Sequence, residues 1–154
     1  MSFRTDAGGF ALKLNDVKLM AAESSWATRM SQIGKCPGGI IICTYSLPDV
    51  EYIMKILDKH PDNVVLVLHE KFRRSADLLK ARYRGLHVYL RPDVHAKLVL
   101  IEPETVWLSS ANFGRSGWFE QTIGIHDRRA FEFYFDQIES YLFEERKSSV
   151  RKSD

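Results

Sequence analysis

Two apolar runs, Ile40 to Tyr45 and Val64 to Leu68, constrain the fold of this chain more than any other feature. Both lack polar alternation, so each reads as a strand buried on both faces, as in parallel or mixed sheets covered by helices. Between them, Val50, Ile53, Met54 and Leu57 recur at helical spacing. The preceding Ser46-Leu47-Pro48-Asp49 has the polar spacing and early proline of a helix start, and His60-Pro61 stops the helix. Phe72, Ala76, Leu79 and Tyr83 mark a second helix, ended by Gly85, and Leu86 to Leu90 a third strand. The order βαβαβ requires crossover helices against a sheet.

The rest of the chain extends this plan. Gly9 to Leu14 reads as a short opening strand, and Lys18 to Gln32 as a helix ending near Gly34, before the breaker cluster Cys36-Pro37-Gly38-Gly39. Val94 to Ile101 and Thr105 to Ser109 read as strands joined by a tight turn at Glu102-Pro103-Glu104, and Gln121 to His126 as a last strand. Asp127 is placed to cap a final helix whose apolar stripe is Phe131, Tyr134, Phe135, Ile138, Tyr141 and Leu142. The expected architecture is α/β, with a mixed, largely parallel sheet flanked by helices on both faces. At 154 residues the chain reads as a single domain over 1–145, followed by a disordered basic tail at 146–154.

Composition excludes several classes. The apolar runs are too short to span a bilayer, so no membrane anchor is expected, and Met1 to Asn15 lacks the pattern of a secretory signal. Cys36 and Cys43 form neither a disulfide framework nor a zinc motif, which suits a reducing, cytoplasmic setting. Net charge is only +2, but Lys71, Arg73, Arg74, Lys80, Arg82, Arg84 and Arg91 fall in one stretch with Asp77 as its only acid. Such a stretch is either a solvated helix face or a phosphate-binding patch.

The chemistry concentrates later. His95-Ala96-Lys97, then Glu102, then Ser109-Ser110-Ala111-Asn112 put an imidazole, an ammonium, hydroxyls and an amide on two short apolar segments. On a strand from Val94, His95 and Lys97 share a face. Small polar residues at the end of the next strand can gather donors around an oxyanion. Each half alone is weak, since an edge strand tolerates His and Lys, and a Ser/Asn loop is a common helix cap. Together they resemble the HKD signature of the phospholipase D superfamily: His-x-Lys, four residues, Asp, six residues, Gly-Ser-x-Asn. His95, Lys97, Ser110 and Asn112 match it, Glu102 stands where Asp is usual and Ser109 where Gly is usual. The run onward to Glu120 resembles the family's continuation, in which an acidic residue holds the catalytic His. With one copy of the motif, the chain most resembles the small homodimeric nucleases of the superfamily.

The resemblance implies a phospholipase D-like fold and a phosphodiesterase that needs no metal or other cofactor. His95 would attack phosphorus to form a phosphohistidine, and His95 of a second subunit would protonate the leaving oxygen. Lys97, Ser110 and Asn112 would hold the non-bridging oxygens, Glu120 would orient His95, and Glu102 and Ser109 would support the site. Nucleic acid is the expected substrate, with Lys71, Arg73, Arg74, Arg82 and Arg84 tracking its backbone. Tyr45, Trp118 and Phe119 are candidates for base stacking, with core packing the competing use of each. The alternatives are a phospholipid headgroup hydrolase and a nucleic-acid-binding module with a decayed site.

Overall fold

The computed structural model describes residues 11–23, 38–59 and 62–143. The strands are β1 Val17–Glu23, β2 Ile40–Thr44, β3 Val64–His69, β4 Leu86–Arg91, β5 Leu98–Ile101, β6 Thr105–Ser109 and β7 Phe119–His126. The helices are α1 Val50–Leu57, α2 Arg73–Arg82 and α3 Arg128–Phe143, with a single 3-10 turn at Glu70–Phe72 leading into α2. All the strands join one sheet in the order β1-β7-β6-β5-β2-β3-β4.

The sheet is mixed, as expected, but largely antiparallel where a largely parallel one was expected, because β5 to β7 return as a meander and not through crossover helices. Parallel pairing is confined to β2–β3 and β3–β4, where α1 and α2 make the crossovers. The β2–β5, β5–β6, β6–β7 and β1–β7 pairs are antiparallel. Parallel neighbours therefore occupy one flank, and a meander from β5 to β7 fills the centre.

Alternate residues of β2 show why both faces are apolar. Ile40 and Ile42 pack with Tyr52, Ile53 and Leu57 of α1 and with Ala76 and Leu79 of α2. Ile41 and Cys43 face the cluster containing Ala130, Phe131 and Ile138 of α3. Helices thus cover both faces, and no polar side of β2 is needed. Asp49 caps α1 by accepting from Tyr52 N–H at 2.9 Å. Asp127 caps α3 through Arg129 N–H at 2.9 Å and Ala130 N–H at 3.3 Å. On the α1/α2 face, Gly124 of β7 lies under Trp107 of β6, and a Cβ there would meet the indole at 2.4 Å.

Three further expectations need correction. The helix expected from Lys18 is a strand over its described part: Val17 to Glu23 pair residue for residue with Ile125 to Phe119. Leu, Met, Ala and Lys favour helix, but the open edge of β7 supplies hydrogen-bond partners that outweigh that weak preference. Residues 24–32 lie outside the described residues, as do Gly9, Phe10, Cys36 and the tail at 146–154. The described part of the opening strand, 11–14, has no regular structure, although Leu12 and Leu14 pack against the α3-side core. The strand expected from Val94 begins only at Leu98, leaving His95 and Lys97 on an irregular segment.

Candidate active site

The two halves of the motif meet at one end of the β5–β6 hairpin. Leu98 pairs with Leu108, and one step beyond, Ser109 N–H donates to Lys97 O at 2.9 Å. Next to this junction Ser110 N–H donates to Gln121 O at 3.0 Å, which brings in the start of β7 and Glu120. The parallel strand β2 ends at the same edge with Thr44 and Tyr45.

Although the segment is not a strand, His95 and Lys97 are in contact. Lys97 Nζ lies 3.3 Å from His95 Nδ1 and donates to His95 O at 2.7 Å. Burial holds the Lys97 amine below the ordinary lysine range, while the nearby Glu120 carboxylate, and then Cys43, pull it back up. The same apolar surroundings push the Cys43 thiol up to about 12, against the opposing pull of Lys97. The His95 ring lies 5.4 Å from Tyr45, which also meets His69 at 4.9 Å and Phe72 at 5.7 Å.

Glu120 is held by hydroxyls. Its carboxylate accepts a short hydrogen bond from Ser110 Oγ and another from Ser116 Oγ at 2.8 Å. The Glu120 carboxylate also lies near the Lys97 amine. Asn112 is positioned by β2: its Oδ1 accepts from Ser46 N–H at 3.3 Å and lies 3.4 Å from Thr44 Oγ1. Thr44 is fully buried and also accepts from Phe113 N–H at 3.0 Å. Sequence reasoning passed over Thr44. Its signal is a hydroxyl ending an otherwise apolar strand.

The two departures from the family pattern have local explanations. Ser109 Oγ accepts from Ala111 N–H at 3.1 Å and lies 2.9 Å from Thr122 Oγ1, so its side chain closes the turn that a glycine would leave open. Glu102 lies at the opposite end of β5 from Lys97. It accepts from Gly39 N–H at 2.7 Å, anchoring the entry to β2. The longer Glu arm fits because Gly38 has no side chain; a Cβ there would lie 2.6 Å from the carboxylate.

The basic stretch is divided by the fold. Lys71, Arg73 and Arg74 lie at the site end, where Lys71 N–H donates to Nδ1 of buried His69 at 3.1 Å. Arg82 ends α2, about 14 Å along the helix from Arg73, and Arg84 follows in the turn before β4. Arg82 pairs with Asp58 at 3.3 Å. Arg73 and Arg74 line a separate surface depression with Asp77, Leu78 and Ala81.

Beside the motif a cleft of about 360 Å³ is lined by Ser110, Asn112 and Glu120 together with Pro48, Arg115, Ser116, Gly117 and Trp118. Arg115 was not singled out from sequence, where it is one cation in a glycine-rich loop. Trp118 and Phe119 are 81% and 76% exposed, so core packing is not the use of either. Among the described residues no three His, Cys, Asp or Glu side chains group to hold a metal ion, and no helix is long and apolar enough to cross a membrane.

No protein-family model and no curated protein sequence matches the chain. Solved structures do. The phospholipase D family member Nuc from Salmonella typhimurium matches with a TM-score of 0.61 and 16% identity, over 81% of this chain and 93% of that one. NucT from Helicobacter pylori matches with a TM-score of 0.61 and 17% identity, over 81% and 98%. TrmBL2, an archaeal chromatin protein, matches with a TM-score of 0.59 and 12% identity over 82% of this chain, which spans about half (52%) of that protein. In fold, then, this chain is phospholipase D-like.

Proposed function

We propose that this chain is a metal-independent phosphodiesterase, a nuclease acting on DNA or RNA through a phosphohistidine in a homodimeric site. One observation carries the reading: the hydrogen bond from Ser109 to Lys97 joins His95, Lys97, Ser110, Asn112 and Glu120 at one edge of the sheet. A charged Lys97 donates to His95 Nδ1, which keeps the ring proton on Nε2. That ring is neutral; to act as an acid it takes a second proton on Nδ1, with Lys97 Nζ then donating only to His95 O. The attacking copy needs its Nε2 lone pair free, so the two His95 of a dimer divide the work. The neutral His95 attacks phosphorus through Nε2, the bond to the leaving oxygen breaks, and the Nε2–H of the second His95, in its imidazolium form, protonates that oxygen and leaves a neutral ring. Water, deprotonated by the second imidazole, then cleaves the P–N bond. Lys97, Ser110 and Asn112 stabilise charge on the non-bridging oxygens.

Self-association is supported by an exposed apolar strip. Leu19 of β1 pairs with Ile123 of β7, and Val17 and Phe119 extend the same exposed face at either end. Contiguous apolar surface of this kind marks protein–protein contacts. Metal independence is supported by the Lys97 charge inside the site, which repels a cation. The buried free thiol of Cys43 suits the reducing cytoplasm.

A second reading, a nucleic-acid-binding module without turnover, is favoured by one feature: Glu120 is bonded to Ser110 and Ser116 rather than to His95. Incubation with labelled single- and double-stranded DNA and RNA in EDTA decides between them. Cleavage that survives the chelator and is lost in His95→Ala supports the enzyme. Binding without cleavage supports the module. Headgroup release from phospholipid vesicles, with no cleavage of nucleic acid, assigns a lipid substrate instead.

A further inference from the structure

Trp118 and Arg115 face the same cleft as Ser110, Asn112 and Glu120, and neither is used by the mechanism above. Both are exposed, yet both are held in place. The Trp118 backbone N–H donates to Ser116 Oγ at 3.2 Å, and Ser116 Oγ donates to Glu120 at 2.8 Å, so the main chain that carries the indole is tied to the network that fixes the motif. The Arg115 guanidinium lies 5.4 Å from the centre of the Tyr52 ring, which fixes its stem and leaves the charge at the rim. Trp118 immediately precedes β7 and lines the cleft with Glu120, whereas Phe119, the first residue of the strand, does not. The other described tryptophan, Trp107, is 3% exposed in the core, so the exposure of Trp118 is particular to its position.

An indole with its faces in water beside a guanidinium is a stacking surface next to a phosphate contact. We propose that this cleft binds single-stranded nucleic acid, Trp118 stacking on an unpaired base beside the scissile phosphate and Arg115 holding a neighbouring phosphate. The inference rests on the nucleic-acid reading of the site and adds the strandedness of the substrate. A duplex hides its base faces in its own stack, and reaching one there costs the unstacking and unpairing of that base. A single strand presents the faces freely. Stacking tolerates every base, so the preference is for unpaired strands and not for a sequence.

The test uses the full chain carrying His95→Ala, so that ligands survive, and reads anisotropy with labelled oligo(dT), oligo(U) and a hairpin duplex. Adding Trp118→Ala is expected to weaken single-strand binding roughly 5- to 150-fold and to leave hairpin binding within about twofold. Trp118→Phe should restore most of the affinity and Trp118→Leu should not, because apolar area without a ring face does not stack. Arg115→Ala should lower the salt dependence of single-strand binding by about one phosphate contact. Unchanged single-strand binding in Trp118→Ala overturns the proposal, as does equal weakening for hairpin and single strand. A shift in molecular size on chromatography overturns it too, by assigning Trp118 to a protein contact. If the unmodified protein cleaves nothing while Trp118-dependent single-strand binding persists, the catalytic reading fails and this one stands. If it cleaves nucleic acid with no effect of Trp118→Ala on cleavage or binding, the reverse holds.

Discussion

Lys97 and Ser109 face each other across the open end of the β5–β6 hairpin, joined by a 2.9 Å hydrogen bond from the Ser109 N–H to the Lys97 carbonyl. The bond lies one step beyond the Leu98–Leu108 pair and joins the last residue of β6 to the residue just before β5. It sets the separation between the imidazole-ammonium half of the site and the hydroxyl-amide half.

Lys97→Met is expected to reduce kcat on nucleic acid by roughly 100- to 1000-fold, the usual effect of removing one stabilising group from a developing oxyanion. Lys97 is charged below its pKa, and burial has lowered that pKa. The alkaline limb of the pH–rate profile should therefore fall at a lower pH than an exposed lysine would give. Lys97→Arg should move that limb upward, whatever its effect on the maximum rate. Steady-state rates across pH check both statements.

Thr44→Val keeps the shape of the side chain and removes its hydroxyl. Phe113 N–H then loses its hydrogen bond to Thr44 Oγ1, at a cost of about 1–3 kcal/mol in denaturant unfolding. Asn112 also loses a neighbour that positions its amide. Cleavage should drop roughly 10- to 100-fold, and Thr44→Ser should recover both properties. Loss of stability with full activity would show that Thr44 does not position Asn112.

Glu102→Ala removes the acceptor for Gly39 N–H, whereas Glu102→Gln keeps one. The alanine variant should melt roughly 2–4 °C lower, the glutamine variant close to the parent. Both should cleave at near-parental rates, because Glu102 sits at the far end of β5 from Lys97. A large loss of turnover in Glu102→Gln would overturn this structural assignment.

Gly124→Ala puts a methyl group against the buried face of Trp107, where the new Cβ meets the ring at 2.4 Å. The overpacking should cost about 1–3 kcal/mol in chemical denaturation. Trp107→Leu in the same chain should return part of that loss, giving a non-additive double-mutant cycle.

Cys43 carries a pH signature. Its folded pKa of about 12 lies above the ordinary 9.0, so the unfolded chain loses its thiol proton first. The stabilisation is complete below pH 9 and is lost as pH rises towards 12. By pH 10.5 it amounts to roughly 2 kcal/mol. The Cys43→Ala variant, whatever its stability at pH 7, should lose less stability over that range than its parent. Urea unfolding at pH 7, 9 and 10.5 measures both slopes.

What was legible in the sequence follows from how local each signal is. Ile40–Thr44, Val64–His69 and the stripe of α3 are fixed by their own apolar patterns and emerge as expected. The spacing from His95 to Asn112 is legible because both segments lie on one hairpin, close together in the chain. Val17–Glu23 misled because its strand state depends on β7, about a hundred residues away in the chain. Thr44 and Arg115 went unnoticed for a similar reason: each gains meaning only from a distant partner, Asn112 for one and the Tyr52 ring for the other. The basic stretch looked continuous because sequence does not reveal that α2 carries Arg82 away to Asp58.

The antiparallel hairpin also gives the motif spacing a mechanical origin. Ile101 pairs with Thr105, so every residue counted outward along one arm is matched by one on the other, until Lys97 arrives opposite Ser109. The intervals on either side of Glu102 thus act as a ruler. Lengthening one arm by a single residue would send Lys97 and Ser109 to opposite sides of the sheet, whereas adding one to each arm would preserve the meeting.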